Sequence, residues 1–395
     1  MPMMSLQSLD LKEKRVLLRV DFNVPLDKNG QITDDTRIRQ ALPTIEYLIK
    51  QRAKVILMSH LGRPKGKPDP SLSLKPCALA LSDLLKLDVK MAPDCVGQAV
   101  KTLVMSMQPG DVTLLENLRF HDEEEHPTEA FAQALAELGE IYIDDAFATA
   151  HRKHTSTYLL PSLFPGKAAG GFLMEKEVNH LSPLILQPKR PFYAILGGAK
   201  IESKLGVLDA LLPKIDGLFI GGGMAFTFMK ASGIPIGNSL CDDHLLDEAR
   251  RIMLNCQEKA IKFWLPKDVL IGRGFTDDAE FKTVPAKDGL PDGWQGMDIG
   301  EETVKEWTEA LKSAATVFWN GPMGIFEFEE FAHGTKGIAQ ALGALDADTI
   351  VGGGDSVAAV NQLGLSKNFT HISTGGGASL EFIEHGHLPG IDILS

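Results

Sequence analysis

Five times in the second half of the chain, a short run of β-branched and aromatic residues runs straight into glycine. The runs are RPFYAILGGAK, DGLFIGGGMAF, ATVFWNGPMG, DTIVGGGDS and THISTGGGAS, beginning at Arg190, Asp216, Ala315, Asp348 and Thr370. Strands apolar along their whole length are buried on both faces, as in a parallel sheet. Several of the glycine turns then open a helix-like segment, as at Ser356 after Gly352, Gly353 and Gly354. Strand, turn and helix in repeated order build a parallel sheet covered on both sides. The intervals are unequal, so this is not a solenoid.

The first half alternates in the same way. KRVLLRVDFNVP, AKVILMSH, DVTLLENLRF and EIYIDDAF read as strands, with helices over 36–52, 73–87 and 128–138. A chain of 395 residues exceeds what one core usually supports. The expected fold is α/β, with two doubly wound parallel-sheet (Rossmann-like) domains over 1–170 and 187–379, joined by a linker helix at 171–186 and a hinge. Residues 265–300, rich in proline and glycine, read as a looser β excursion.

The net charge of −12 argues against a general nucleic-acid or membrane-surface binder. Cys77, Cys95, Cys241 and Cys256 lie far apart without a C-x-x-C, as expected for reduced thiols. The N-terminal MPMMSLQSLDLKEKR lacks a signal-peptide core, and no run of about 20 apolar residues occurs. A soluble cytoplasmic protein is expected, with neither nucleic acid nor membrane as partner.

In an open parallel sheet, ligands bind beyond the carboxyl ends of the strands. A glycine turn opening a helix there aims bare N–H groups and a positive dipole end outward, which suits phosphate. There is no G-x-x-x-x-G-K-[ST], no H-R-D or D-F-G set, and GGGMAF lacks the full dinucleotide spacing. Lys200 and Lys204 in GGAKIESK share one face if a helix starts there. Asp355 suits either a magnesium ion held by nucleotide phosphates or a helix N-cap.

The first-half strand ends carry cations instead: RVDFNVP, TDDTRIR, SHLGRPKGK, ENLRFH and AFATAHRKHTS. Arg37, Arg63, Arg119 and Arg152, accompanied by His60, His121, His151 and His154, make one basic patch if these loops share a sheet edge. Guanidinium forks suit phosphate and carboxylate. Asp21 and Asn23 add hydroxyl-binding capacity, and the histidines lack H-E-x-x-H spacing, so no zinc is expected. Without a Ser–His–Asp set or a glycosidase carboxylate pair, two phosphate sites point to phosphoryl transfer.

DFNVP, TDDTRI, SHLGRP, ENLRF, TAHR, GGAKIESK, GGGMAFTF, NGPMGIFE, GGGDS and STGGGAS follow one another in this order. Together they resemble the phosphoglycerate kinase family, bacterial type, from about residue 5 to LPGID. The resemblance implies reversible transfer of a phosphoryl group between 1,3-bisphosphoglycerate and ADP, giving 3-phosphoglycerate and MgATP. It assigns the glycerate and its phosphate to Asp21, Phe22, Asn23, Arg37, His60, Leu61, Gly62, Arg63, Arg119 and Arg152. It assigns the nucleotide to Lys204, Gly221, Gly222, Gly223, Gly296, Asn320, Glu327, Gly353, Gly354, Asp355 and Ser356, with Asp355 toward Mg2+. Arg37, Lys200 and Gly354 would flank the group in flight, brought together by hinge closure. It also implies a monomer whose residues 380–395 pack back on the first domain. Ser203, Ala148 and Ser356 stand where family members often have Asp, Gly and Thr. The acceptor in the ATP-consuming direction is a carboxylate, so no general base is needed, and catalysis rests on placement and electrostatics. The competing readings are a catalytically silent binder on the same fold and a nucleotide-dependent oxidoreductase.

Overall fold

The computed structural model describes residues 3–274 and 280–395. They form two compact units: the residues up to Asn179 together with His387–Ser395, and His180–Gly386.

The first unit is built on β1 (Arg15–Arg19), β2 (Lys54–Met58), β3 (Val89–Met91), β4 (Val112–Leu114), β5 (Ile141–Asp144) and β6 (Ala168–Gly170). They lie in the order β3-β4-β2-β1-β5-β6, every pair parallel. Helices α1 (Thr36–Lys50), α2 (Lys75–Leu85), α3 (Gln98–Met105) and α4 (Glu129–Ala136) fall between strands in the chain. In strand β1 the three central residues are apolar because both faces of the sheet are covered. Val16 and Leu18 pack with Ile38, Leu48 and Leu81 on one face, while Leu17 packs with Val100, Val104 and Leu135 on the other. Alternate side chains serve two cores.

Helix α5 (Phe172–Leu186) starts where the Asp145 carboxylate accepts the N–H groups of Leu173 and Met174 at 2.8 and 3.1 Å, an N-terminal cap supplied from another loop. The division between the units falls inside this helix, after Asn179.

In the second unit, β7 (Phe192–Leu196) and β8 (Gly217–Ile220) are followed by β9 (Lys262–Trp264), β10 (Asp268–Gly272), β11 (Phe281–Pro285), β12 (Gln295–Ile299), β13 (Thr316–Asn320), β14 (Asp348–Gly352) and β15 (His371–Ile372). The main sheet, β15-β14-β13-β7-β8-β9, is parallel throughout. Between strands run α6 (Leu205–Leu211), α7 (Met224–Ala231), α8 (Leu246–Glu258), α9 (Glu301–Leu311), α10 (His333–Gly343) and α11 (Gly354–Gln362), and α12 (Gly377–His385) closes the unit. The fold is the expected pair of α/β parallel-sheet units.

The expected loose excursion over 265–300 is instead an antiparallel sheet, β11-β10-β12. It has its own core, in which Val269, Ile271 and Trp294 meet Phe226 and Met229. Gly289 and Gly293 fall between strands, but Gly272, Pro285 and Gly296 lie within them, so this content did not mark an absence of strands. Residues 275–279 of that segment lie outside the described residues. After α12 the chain re-enters the first unit as α13 (Pro389–Asp392), where Gly390 N–H donates to the Ala150 carbonyl at 2.8 Å and Leu394 joins a core with Tyr142.

Candidate active-site groups

In the first unit the cations gather at the carboxyl ends of β1, β2, β4 and β5. Arg19, Arg119, Arg37 and His154 all lie close enough to His60 to act on its charge, and Arg152 acts on Arg119 and His154. Arg37 sits in the first turn of α1, where the helix dipole disfavours a cation. Its guanidinium is held there by an ion pair with the buried Asp21. Asn23 accepts the Gly62 N–H at 2.9 Å, and Arg119 Nη1 donates to the Gly62 carbonyl at 2.9 Å. Arg119 is buried, and its Nε is without a hydrogen-bond partner. Burial pushes its pKa down, partly offset by Glu125 at 3.3 Å. An unpaired buried guanidinium donor suits an arriving anion.

Burial, and then the surrounding arginines, hold both inner histidines neutral. The pKa of His60 lies well below its ordinary value, and that of His154 is lowered to about 3. Arg63 and Arg152 are exposed. The side chains of Phe22 and Leu61 are buried in the core.

Several groups at this site were not singled out in the sequence. Asn117 uses its whole amide to fix the loops. Its oxygen accepts from Leu61 N–H and Arg119 N–H, and its nitrogen donates to the Leu61 and Leu72 carbonyls. Arg19, Ser156 and Glu124 form a buried network behind His60. An arginine closing the apolar run of β1 was the available signal.

His121 does not join the patch. Its ring contacts Asp94 at 2.7 Å and stacks on Phe131. Asp94, Cys95 and His121 bring three metal-capable atoms within 4.8 Å of one another, a proximity that sequence spacing did not reveal.

In the second unit four of the five glycine turns line two neighbouring clefts. Lys200, Lys204, Asn320, Gly353, Gly354, Asp355 and Ser356 line a cleft of about 540 Å3. Gly222, Gly223, Gly296, Glu327 and again Asp355 line a neighbouring one of about 200 Å3. Gly221 packs against Met323 and Trp307. Gly296 faces the Phe226 ring so closely that no Cβ fits. Gly353 has φ +90°, a left-handed conformation, and a side chain there would meet Asn320. Gly354 has neither constraint: a Cβ would meet no protein atom.

Two local expectations change. The helix after β7 begins at Leu205, not at Lys200, because residues 202–204 form a tighter turn first. The two lysines reach one cleft all the same. Gly353, not Asp355, occupies the cap of α11, which leaves Asp355 exposed in the first turn. The Ser356 hydroxyl is buried and accepts the Gly321 N–H at 2.6 Å. Burial lowers the pKa of Lys204, and Asp355 opposes that shift.

The departures from the family pattern are accommodated. Ala148 lies in a 3-10 turn, and its φ is not among the positive ones. Ser203 is exposed and donates to the Lys200 carbonyl at 3.2 Å.

The family model described as "Phosphoglycerate kinase" matches residues 6–386. A Synechococcus elongatus protein named "Phosphoglycerate kinase" is 53% identical, over 99% of this chain and 97% of the relative. A Triticum aestivum protein named "Phosphoglycerate kinase, cytosolic" is 51% identical, over 98% and 96%. The solved structure of phosphoglycerate kinase from Coxiella burnetii superposes with a TM-score of 0.90 at 40% identity, covering 100% of this chain and 99% of that one. With its two parallel-sheet units and its cation and glycine clusters at the strand ends, the chain belongs to the phosphoglycerate kinase family.

Proposed function

We propose that this chain catalyses reversible phosphoryl transfer between 1,3-bisphosphoglycerate and ADP, with 3-phosphoglycerate and ATP as products. Family membership over nearly the whole chain supports the reaction. The observation that carries the residue-level reading is a pair of unpaired buried donors, Arg119 Nε in the first unit and Asn320 Nδ2 in the second. Each is a donor that an anion would satisfy.

In this reading the first unit binds the glycerate. Asp21 and Asn23 face its hydroxyl, while Arg37, His60, Arg63, Arg119 and Arg152 bind its phosphate and carboxylate. The second unit binds the nucleotide through Lys204, Asn320, Gly353, Gly354 and Asp355, with Gly221, Gly222, Gly223, Gly296 and Glu327 toward the nucleoside. The exposed carboxylate of Asp355 beside the lysine-lined cleft is an oxygen donor fit for Mg2+ held jointly with nucleotide phosphates. The ion, when bound, supplies neutralisation of phosphate charge.

In the ATP-consuming direction, a carboxylate oxygen of 3-phosphoglycerate attacks the γ-phosphorus and ADP leaves. Both reacting groups are anionic. Arg37 in the first unit, and Lys200 and the Gly354 N–H in the second, are the donors proposed to lower this repulsion. We include in the proposal a monomer located in the cytoplasm; the cytosolic wheat relative supports the location. No helix of the described residues is long and apolar enough to cross a membrane.

Calorimetry tests the division of labour. 3-Phosphoglycerate and MgADP should each bind one site, Arg119→Ala weakening only the first and Lys204→Ala only the second. Loss of both affinities in either folded variant would contradict separate sites.

A further inference from the structure

The geometry points to Arg19 as a positioning residue that holds His60 as the neutral tautomer protonated on Nε2, so that His60 offers one fixed N–H donor to the anion bound in the first unit. The tautomer follows from this chain alone. What the donor meets rests on the function proposed above.

Arg19 is the last residue of β1 and is 1% exposed. Its guanidinium is shared among three acceptors. Nε donates to Ser156 Oγ at 2.8 Å, Nη1 to the Val20 carbonyl, and Nη2 lies 3.1 Å from His60 Nδ1. A guanidinium has only donors and does not release its proton in proteins. The contact to His60 can therefore be a hydrogen bond in one sense only, with Nδ1 accepting. An imidazolium, or the tautomer protonated on Nδ1, would set N–H against N–H.

The guanidinium is itself fixed from behind. Ser156 Oγ, which accepts from Arg19, donates to Glu124 Oε1 at 2.6 Å, and Ser156 N–H donates to Glu124 Oε2 at 3.0 Å. Glu124 is fully buried and accepts both of these bonds. The direction of each bond from Arg19 to His60 is thus determined, a second layer orienting a ligand-facing group.

The groups acting on His60 are Arg19, Arg119, Arg37 and His154, from β1, the loop after β4, α1 and the loop after β5. Arg19, Arg119 and Arg37 are permanent cations, and His154 is neutral near pH 7. None rewards a second proton on the ring, which agrees with a His60 pKa held low by burial first and by these cations next. His60 then contributes direction without a titrating charge, and the arginines contribute the charge.

The test uses the full chain labelled with 15N-histidine, with long-range 1H–15N spectra assigned through the signal lost in His60→Gln. The expected result is the neutral Nε2–H pattern for His60, unchanged from pH 6 to 8, with the Nε2–H signal moving on saturation with 3-phosphoglycerate. An imidazolium or Nδ1–H pattern overturns the assignment. If calorimetry shows 3-phosphoglycerate binding while the Nε2–H signal stays put, the donor role is overturned. If 3-phosphoglycerate does not bind at all, the substrate reading fails and the tautomer is still decided by the free protein.

Arg19→Lys should let His60 sample both tautomers and raise the KM for 3-phosphoglycerate about tenfold, with less change in kcat. A merely structural role would lower thermal stability and leave the ring pattern as it was. Should Arg19→Lys fail to fold, a second pair reads the same point. Gln at 60 can place an amide N–H near Nε2, whereas Asn cannot. His60→Gln should keep KM within about fivefold, and His60→Asn should raise it more than tenfold. The reverse order would contradict the proposal.

Discussion

The Lys204 ammonium donates to the side-chain oxygen of Asn320, and that pairing decides which end of the amide faces Gly353. Lysine has no acceptor, so the oxygen must point to it and Nδ2 must point away. Nδ2 is buried without a partner, against a backbone turn that opens a helix. Two donors, an ammonium and an amide N–H, are thereby fixed in one cleft before any ligand arrives.

Asn320→Ala should raise the KM for ATP about tenfold, the cost of one hydrogen bond to a charged group. It should leave the KM for 3-phosphoglycerate within about twofold. Steady-state kinetics with each substrate varied reads both numbers. An unchanged KM for ATP would remove Asn320 from the nucleotide site.

The successive glycines answer to different constraints, and substitution separates them. Gly353→Ala forces a side chain into a left-handed backbone and against Asn320. It should cost about 1–3 kcal/mol of stability, visible in thermal or denaturant unfolding. Gly354→Ala meets no protein atom and places a better helix former in α11. Its melting temperature should hold or rise while turnover falls at least tenfold. Equal stability losses in the two variants would show that both glycines serve the fold.

Lys200 and Arg63 are both exposed, yet the proposed reaction asks different things of them. Lys200→Ala removes a contact made mainly in the transition state, worth about 3–4 kcal/mol by analogy with a lost oxyanion-hole donor. Turnover should drop a hundredfold or more while MgADP still binds. Arg63→Ala should raise the KM for 3-phosphoglycerate more than it lowers kcat. A near-normal kcat for the first, or a fallen kcat with unchanged KM for the second, contradicts these roles.

His154 gives a pH signature. Its pKa in the folded chain is lowered to about 3, first by burial and then by Arg119, Arg19 and Arg152, against about 6.5 when unfolded. Between those values the unfolded chain binds the extra proton. Stability from this group is therefore complete above about pH 6.5 and is lost as pH falls toward 3. Buried Asp144 and Asp145, each raised to about 7, act in the opposite sense. The contribution must accordingly be read as a difference. Between pH 6 and 4 the unfolding free energy of the wild type should fall by about 1.4 kcal/mol per pH unit relative to His154→Gln. Parallel curves would mean that His154 titrates normally.

Much of the fold was legible because the strands are apolar on both faces and end in punctuating residues. Glycine after β7, β8 and β14 and cations after β1 and β2 marked the ligand edges of both sheets. Strands β3, β6 and β9, three residues each, were not read from the sequence. The β10–β12 sheet was hidden by prolines and glycines, some of them inside the strands themselves, as at Gly272, Pro285 and Gly296. Within the sites, side chains with charge and reach were readable, but their partners were not. Asn117 and Ser156 act through hydrogen bonds to residues distant in the chain, which no local pattern encodes. His121 and His60 look alike in sequence; only folding sends one to Asp94 and the other to Arg19.

A coupled assay reads the phosphoryl transfer itself. The protein is mixed with 3-phosphoglycerate and MgATP, and a dehydrogenase with NADH consumes the acyl phosphate formed. NADH loss should require both substrates and magnesium and should fall at least a hundredfold in Lys200→Ala. No NADH loss from folded wild-type protein that binds both ligands would contradict the proposed reaction.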